Sequence, residues 1–225
     1  MTSNRKMVVA AKCAPVEEIL VNIEKAGITA AELYTNIKWL HDIDKVKRVC
    51  KKFPFRYAIH APLDGYEPDL LAEMAVDLKA EVVVFHDIYW DNEWEYIYNV
   101  FKNMNIKVCV ENITTVLEPL KFIRRFGFKR CLDIEHLQME CAGVMEGELL
   151  PIIQQVAHIH LSGYFFGSNL WHTPIHYSPQ HNIDFMNLIK SAGYTGFIVS
   201  EAKTSLQTLS EFENLNKFFQ KWEKD

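Results

Sequence analysis

Glu32, His60, His86, Glu111, Asp133, His160 and Glu201 each stand at or near the end of a short β-branched or apolar run, and each carries a side chain that binds metals or moves protons. Glu111, Asp133 and Glu201 brought together without a counter-charge would repel, and at least one would stay protonated. A divalent cation resolves that conflict. Three carboxylates with the His160 imidazole make a hard, mixed O/N donor set suited to one Mn, Mg, Co or Zn ion, and no thiolate belongs to it, which argues against a Cys-type structural zinc. The competing reading is local: strand-end carboxylates often cap helices or pair with lysines, and His60 and His86 can be hydrogen-bonded structural histidines. Coincidence on so many separate strands favours one shared site. His136 lies three residues after Asp133 and shares its face if the chain turns helical there. His158 shares a strand face with His160 but one layer lower. His41 falls on a polar helix face, and His172, His176 and His181 crowd one loop, where they are exposed or touch substrate.

The elements that must position these groups alternate along the chain. Strands are predicted over Met7–Lys12, Ala30–Tyr34, Arg56–His60, Glu81–His86, Ile106–Glu111, Arg130–Asp133, Val156–Leu161 and Phe197–Glu201. Between them run helical patterns: Val16–Lys25, Ile37–Lys52, Pro68–Leu78, Glu93–Asn103, Val116–Arg125, a segment within Leu137–Gln155, Ile183–Ser191 and Leu206–Trp222. Eight βα units of about 28 residues each predict a single-domain α/β (β/α)8 TIM barrel over residues 1–225. An open doubly wound sheet is the alternative, but no Gly-rich phosphate loop follows the first strand. In a barrel the strand ends point into one mouth, and alternation puts Cys109 with Glu111, Cys131 with Asp133, and His158 with His160 on common faces. The long connection Ser162–Asn182 follows the seventh strand on the same side and is a candidate lid.

Composition limits what such a site can serve. The 225 residues carry 24 Lys and Arg against 29 Asp and Glu, a net charge of −5, which argues against nucleic acid as a partner. Apolar runs are far shorter than the roughly 20 residues that span a bilayer. Lys12 cuts the initial apolar stretch too short for a signal peptide, so a cytoplasmic protein is expected. Five cysteines, an odd number without a CxxC pair, read as reduced, buried thiols.

The ordered segments Ala-Glu-Leu-Tyr (31–34), Ile-His-Ala-Pro (59–62), Val-Val-Phe-His (83–86), Val-Glu-Asn (110–112), Leu-Asp-Ile-Glu-His (132–136), His-Ile-His-Leu (158–161) and Ser-Glu-Ala (200–202) resemble the xylose isomerase-like TIM barrel superfamily. That superfamily includes sugar and sugar-phosphate isomerases and epimerases and the endonuclease IV type of AP endonuclease. The resemblance covers nearly the whole chain. It implies that Glu111, Asp133, His160 and Glu201 hold the metal, and that Glu111 and Glu201 act as acid and base on a sugar or polyol through an enediolate. Glu32, His60, His86, His136, Trp90, Trp171 and His172 are expected in substrate or outer-shell roles. The endonuclease IV branch holds three zinc ions with further ligands matching His60, His86 and His136, so a zinc phosphoesterase is the alternative. The chain departs from the pattern after the seventh strand: Leu161-Ser-Gly-Tyr-Phe-Phe-Gly-Ser-Asn-Leu-Trp-His172 lacks the usual aspartate and arginine. A sugar phosphate would miss its guanidinium partner there. That altered loop, whose Tyr164, Phe165, Phe166 and Trp171 offer aromatic surface, also admits a member that binds a metabolite or a protein without catalysis.

Overall fold

The computed structural model describes residues 6–143, 146–149 and 151–224. Eight parallel strands close into a barrel in the order β1-β2-β3-β4-β5-β6-β7-β8. They are β1 (Val8–Cys13), β2 (Ala30–Tyr34), β3 (Arg56–His60), β4 (Val82–His86), β5 (Lys107–Glu111), β6 (Lys129–Asp133), β7 (Val156–Leu161) and β8 (Phe197–Ser200). The limits fall within one residue of those expected from the sequence, because both strand faces are buried and the apolar runs are short and sharply bounded.

Helices α1 (Glu17–Lys25), α2 (Ile37–His41), α3 (Ile43–Cys50), α4 (Pro68–Asp77), α5 (Asp91–Phe101), α6 (Leu120–Phe126), α7 (Ile134–Glu140), α8 (Glu146–Leu149), α9 (Pro179–Ser191) and α10 (Leu209–Lys224) alternate with the strands. The expected single helix over 37–52 is two helices. Asp42, at φ −107° and ψ 37°, breaks it, and the Asn36 side chain caps the first piece by accepting from the Trp39 amide. Helix α6 begins later than expected, since the Glu118 carboxylate accepts from the amides of Ile113 and Thr114 and holds that segment as a loop. It ends at Gly127, whose φ of 72° only glycine adopts freely. Helix α9 begins at Pro179, earlier than expected, with proline's fixed φ suiting the first turn.

Two apolar layers flank the sheet. The larger lies between strands and helices and centres on Trp94, fully buried, whose ring lies 4.3 Å from that of Phe122 and 5.9 Å from that of Phe85. The smaller fills the barrel interior with short side chains, among them Ala10, Ala30, Ala58, Cys109, Cys131 and Val199. Short residues leave height for long polar ones above them. Between β6 and β7 the register shifts: Arg130 pairs with Val156 but Cys131 pairs with His158, so Ala157 is an extra residue and forms a bulge. Beyond the bulge, His158 and His160 stand level with the inward-facing Cys131 and Asp133.

Candidate metal centre

Strand register sets the site. His86 lies opposite Glu111, Asp133 opposite His160, and Lys12 opposite Glu32. Glu111, 1% exposed, is held by three imidazoles: His60 Nε2 at 2.9 Å and His86 Nε2 at 3.0 Å from Oε2, and His160 Nδ1 at 3.1 Å from Oε1. The same His160 Nδ1 lies 3.0 Å from Glu201 Oε2. On its other side, His160 Nε2 lies 3.0 Å from Glu32 Oε1, and His158 Nε2 lies 2.6 Å from Glu32 Oε2. Glu32 is wholly buried beneath the mouth.

Asp133 is positioned twice over. Its amide donates to Asn112 Oδ1 and its carbonyl accepts from Asn112 Nδ2, at 2.9 and 3.1 Å, which locks the ends of β5 and β6 together. Its carboxylate caps α7 by accepting from the His136 amide, and His136 Nδ1 lies 3.0 Å from the Asn112 carbonyl. The helical turn anticipated for Asp133 and His136 is therefore present.

One residue of the cluster escaped the sequence reading. Lys12, its side chain 11% exposed, lies with Nζ 2.6 Å from Glu201 Oε1 and 3.6 Å from Glu32 Oε1. The signal was available: a lysine near the end of an otherwise apolar first strand is out of place unless it meets an acid. Glu135 was missed as well. Buried at the start of α7, it accepts from the Ser162 hydroxyl at 2.5 Å and the His172 amide at 3.1 Å, tying the β7–α9 loop to the barrel.

The protonation pattern calls for a cation. A single Nδ1 of His160 faces oxygens of both Glu111 and Glu201 but carries at most one hydrogen. Glu201 Oε2 and Glu32 Oε1 are buried and lack a hydrogen-bond partner. Burial opposes ionisation of Glu111, yet His160, His60 and His86 hold its carboxyl well below the usual range. Burial likewise opposes the Glu201 charge, but Lys12 and His160 outweigh it and lower that carboxyl. Asp133 goes the other way, pushed up to about 7 by burial and by the negative charges of Glu111 and Glu201. The carboxylates of Glu32, Glu111, Asp133 and Glu201 thus share Lys12 and the imidazoles of His60, His86, His136, His158 and His160. Donor atoms of Glu111, Asp133, His160 and Glu201 all lie within 4.8 Å of one another. The residues present fit a divalent ion.

Above them opens a cavity of about 570 Å³, whose lining includes Tyr34, His60, His86, His136, His172 and Lys203. Glu201 faces it with 20% of its side chain exposed. Trp90 and Trp171, expected from the sequence to meet substrate, do not line it. Trp90 sits at the N-terminus of α5, 79% exposed, its amide bonded to Glu93 Oε2. Trp171 stacks on Tyr164, ring centroids 4.1 Å apart, and so closes the loop on itself. His158 lies below the mouth, as its spacing implied, and His176 bonds Glu211 at 2.8 Å on α10, away from the site.

No family model matches the chain, and no curated protein does. Among solved structures, D-allulose 3-epimerase from Methylomonas sp. is similar at a TM-score of 0.73 with 12% identity, covering 99% of this chain and 100% of that one. The same epimerase in complex with D-allulose aligns at a TM-score of 0.65 with 13% identity, over 100% and 98%. A Thermus thermophilus protein soaked with ZnCl2 aligns at a TM-score of 0.67 with 16% identity, over 96% and 99%. At these identities the likeness establishes the shared barrel fold. Among the described residues no helix is long and apolar enough to cross a membrane.

Proposed function

We propose that the chain is a metal-dependent sugar or polyol isomerase/epimerase of the xylose isomerase-like superfamily, with Glu111 and Glu201 as its acid/base pair. The observation that carries the reading is the convergence of Glu111, Asp133, His160 and Glu201 at the floor of the mouth cavity. The sequence resemblance and the epimerase among the structural neighbours support it.

A divalent ion on these four residues supplies positive charge for the oxygens of an enediolate. The chain's own residues do the rest. Glu201, ionised and open to the cavity, takes a proton from the carbon next to the substrate carbonyl. Glu111, anchored by His60 and His86, takes up a proton from cavity water and delivers it to the opposite face, while Glu201 releases the one it took to the cavity. His136 and His172 line the wall, where they donate to substrate hydroxyls.

One observation favours a second reading, an endonuclease IV-like zinc phosphoesterase: His60 and His86 both converge on Glu111 Oε2, three donors for a further cation. Metal counting and isotope exchange separate the two. About one ion per chain, with deuterium entering an unphosphorylated ketose from D2O, supports the isomerase; three zinc ions with cleavage of abasic DNA support the phosphoesterase. Absence of any bound divalent ion, with no rise in melting temperature on adding Mn²⁺, Co²⁺ or Zn²⁺, sinks both. Glu111→Gln and Glu201→Gln should each abolish exchange, and unchanged turnover in either removes that residue from the pair.

A further inference from the structure

Lys12 is the cation of the cluster that no other part of the reading requires. β1 pairs with β2 on one side, setting Lys12 opposite Glu32, and with β8 on the other, where Ala11 pairs with Ser200 and Glu201 follows. The ammonium is therefore caught between two acids, 2.6 Å from Glu201 Oε1 and 3.6 Å from Glu32 Oε1, with the side chain 11% exposed. A lysine this sheltered costs stability unless its charge is met, and here two carboxylates meet it.

Two consequences follow from the geometry. Nζ occupies Oε1 of Glu201 and leaves the other oxygen, Oε2, buried and without a hydrogen-bond partner beside His160, the metal-facing histidine. Glu201 is thus fixed to offer one oxygen. A unit positive charge also stands beside the carboxylates that would hold the metal, so it neutralises them when the ion is absent and repels the ion when it is present.

We propose that Lys12 is a resident counter-ion of the metal centre: a positioning residue that holds the Glu201 carboxylate for the cation, keeps the acidic cluster assembled without it, and weakens its binding so that the ion exchanges readily. The proposal rests on the metal centre of the preceding section.

The test is Mn²⁺ titration by calorimetry, with melting curves with and without the ion, on the full chain and its K12M, K12Q and K12R variants. K12M should melt lower than wild type without metal, bind Mn²⁺ at least about tenfold more tightly, and gain more in melting temperature on saturation. K12R, which keeps the charge, should bind Mn²⁺ as wild type does. A merely structural lysine gives the opposite sign, with metal affinity falling along with stability. If K12M fails to fold, K12Q, which keeps a donor to Glu201 but not the charge, decides. Wild-type binding with equal or weaker affinity in K12M, or in K12Q where that variant decides, overturns the counter-ion role alone. If wild type binds none of Mn²⁺, Co²⁺ or Zn²⁺, the metal reading falls and this proposal with it.

Discussion

The mouth of the barrel and the layer between sheet and helices are both buried, yet they are built on opposite terms. Around Trp94 the packing is aromatic and aliphatic, built on Phe85, Tyr89, Phe122 and Phe128. At the mouth, Glu32, Glu111 and His160 are buried at 1% exposure or less, and acids stand against imidazoles at about 3 Å. The first region gains stability from removing apolar surface from water; the second holds charges out of water, which is unfavourable unless every charge is met. The division shows where this chain keeps its stability and where it keeps its chemistry.

Substitutions in the two regions should therefore differ in kind. Trp94→Ala should cost about 3–5 kcal/mol in urea unfolding, because a large cavity opens in the apolar layer. Asp133→Asn should weaken Mn²⁺ binding by about 100-fold in calorimetry, while the metal-free protein unfolds at about the same urea concentration or higher, since a repelling buried carboxyl is gone. A loss of metal-free stability matching that of Trp94→Ala would break the comparison and make the mouth a structural element. Between these lies Glu135→Gln, which removes a charged acceptor from Ser162 and His172 and should cost about 1–2 kcal/mol. Its mark is faster amide exchange confined to residues 162–178; unchanged exchange there would mean that the stacked Tyr164 and Trp171 alone hold the loop.

The smallest effect concerns pH. His176 is partly buried beside Glu211, and burial holds its imidazole below the ordinary value despite that acid. It is neutral in the fold, so the unfolded chain takes up a proton first as pH falls through about 6.5, and stability is lost below that point. His176→Gln should flatten the decline in melting temperature between pH 7 and pH 5 by less than about 1 kcal/mol equivalent. A steeper decline in the variant would reverse the sign of this argument.

The barrel was legible because its strands are short, β-branched and closed off by polar residues, and because fully buried parallel strands leave little freedom in where they stop. The convergence of Glu111, Asp133, His160 and Glu201 was legible for the same reason, as each sits at a strand end. What escaped depends on neighbours distant in sequence. Lys12 is out of place in an apolar strand, but its partner is unknown until β8 returns beside β1 and delivers Glu201 to it. Glu135 reads as a first-turn helix acid until the loop after β7 folds over it. Trp90 and Trp171 mislead in the other direction: aromatic residues near a mouth invite a role in stacking, but loop conformation decides which way a ring faces, and no local period encodes it.

The extra residue in β7 has a consequence for how such a chain can change by descent. Ala157 is the residue that this strand can lose without changing the phase of the side chains after it. Deleting that one codon would leave Val156 and His158 consecutive on opposite faces, with His158 and His160 still turned inward, whereas deleting Ile159, which no bulge absorbs, would send His160 out against the helices and turn Leu161 toward the mouth. Loss of the His160 donor is thus one deletion away while the barrel itself stays within reach of folding.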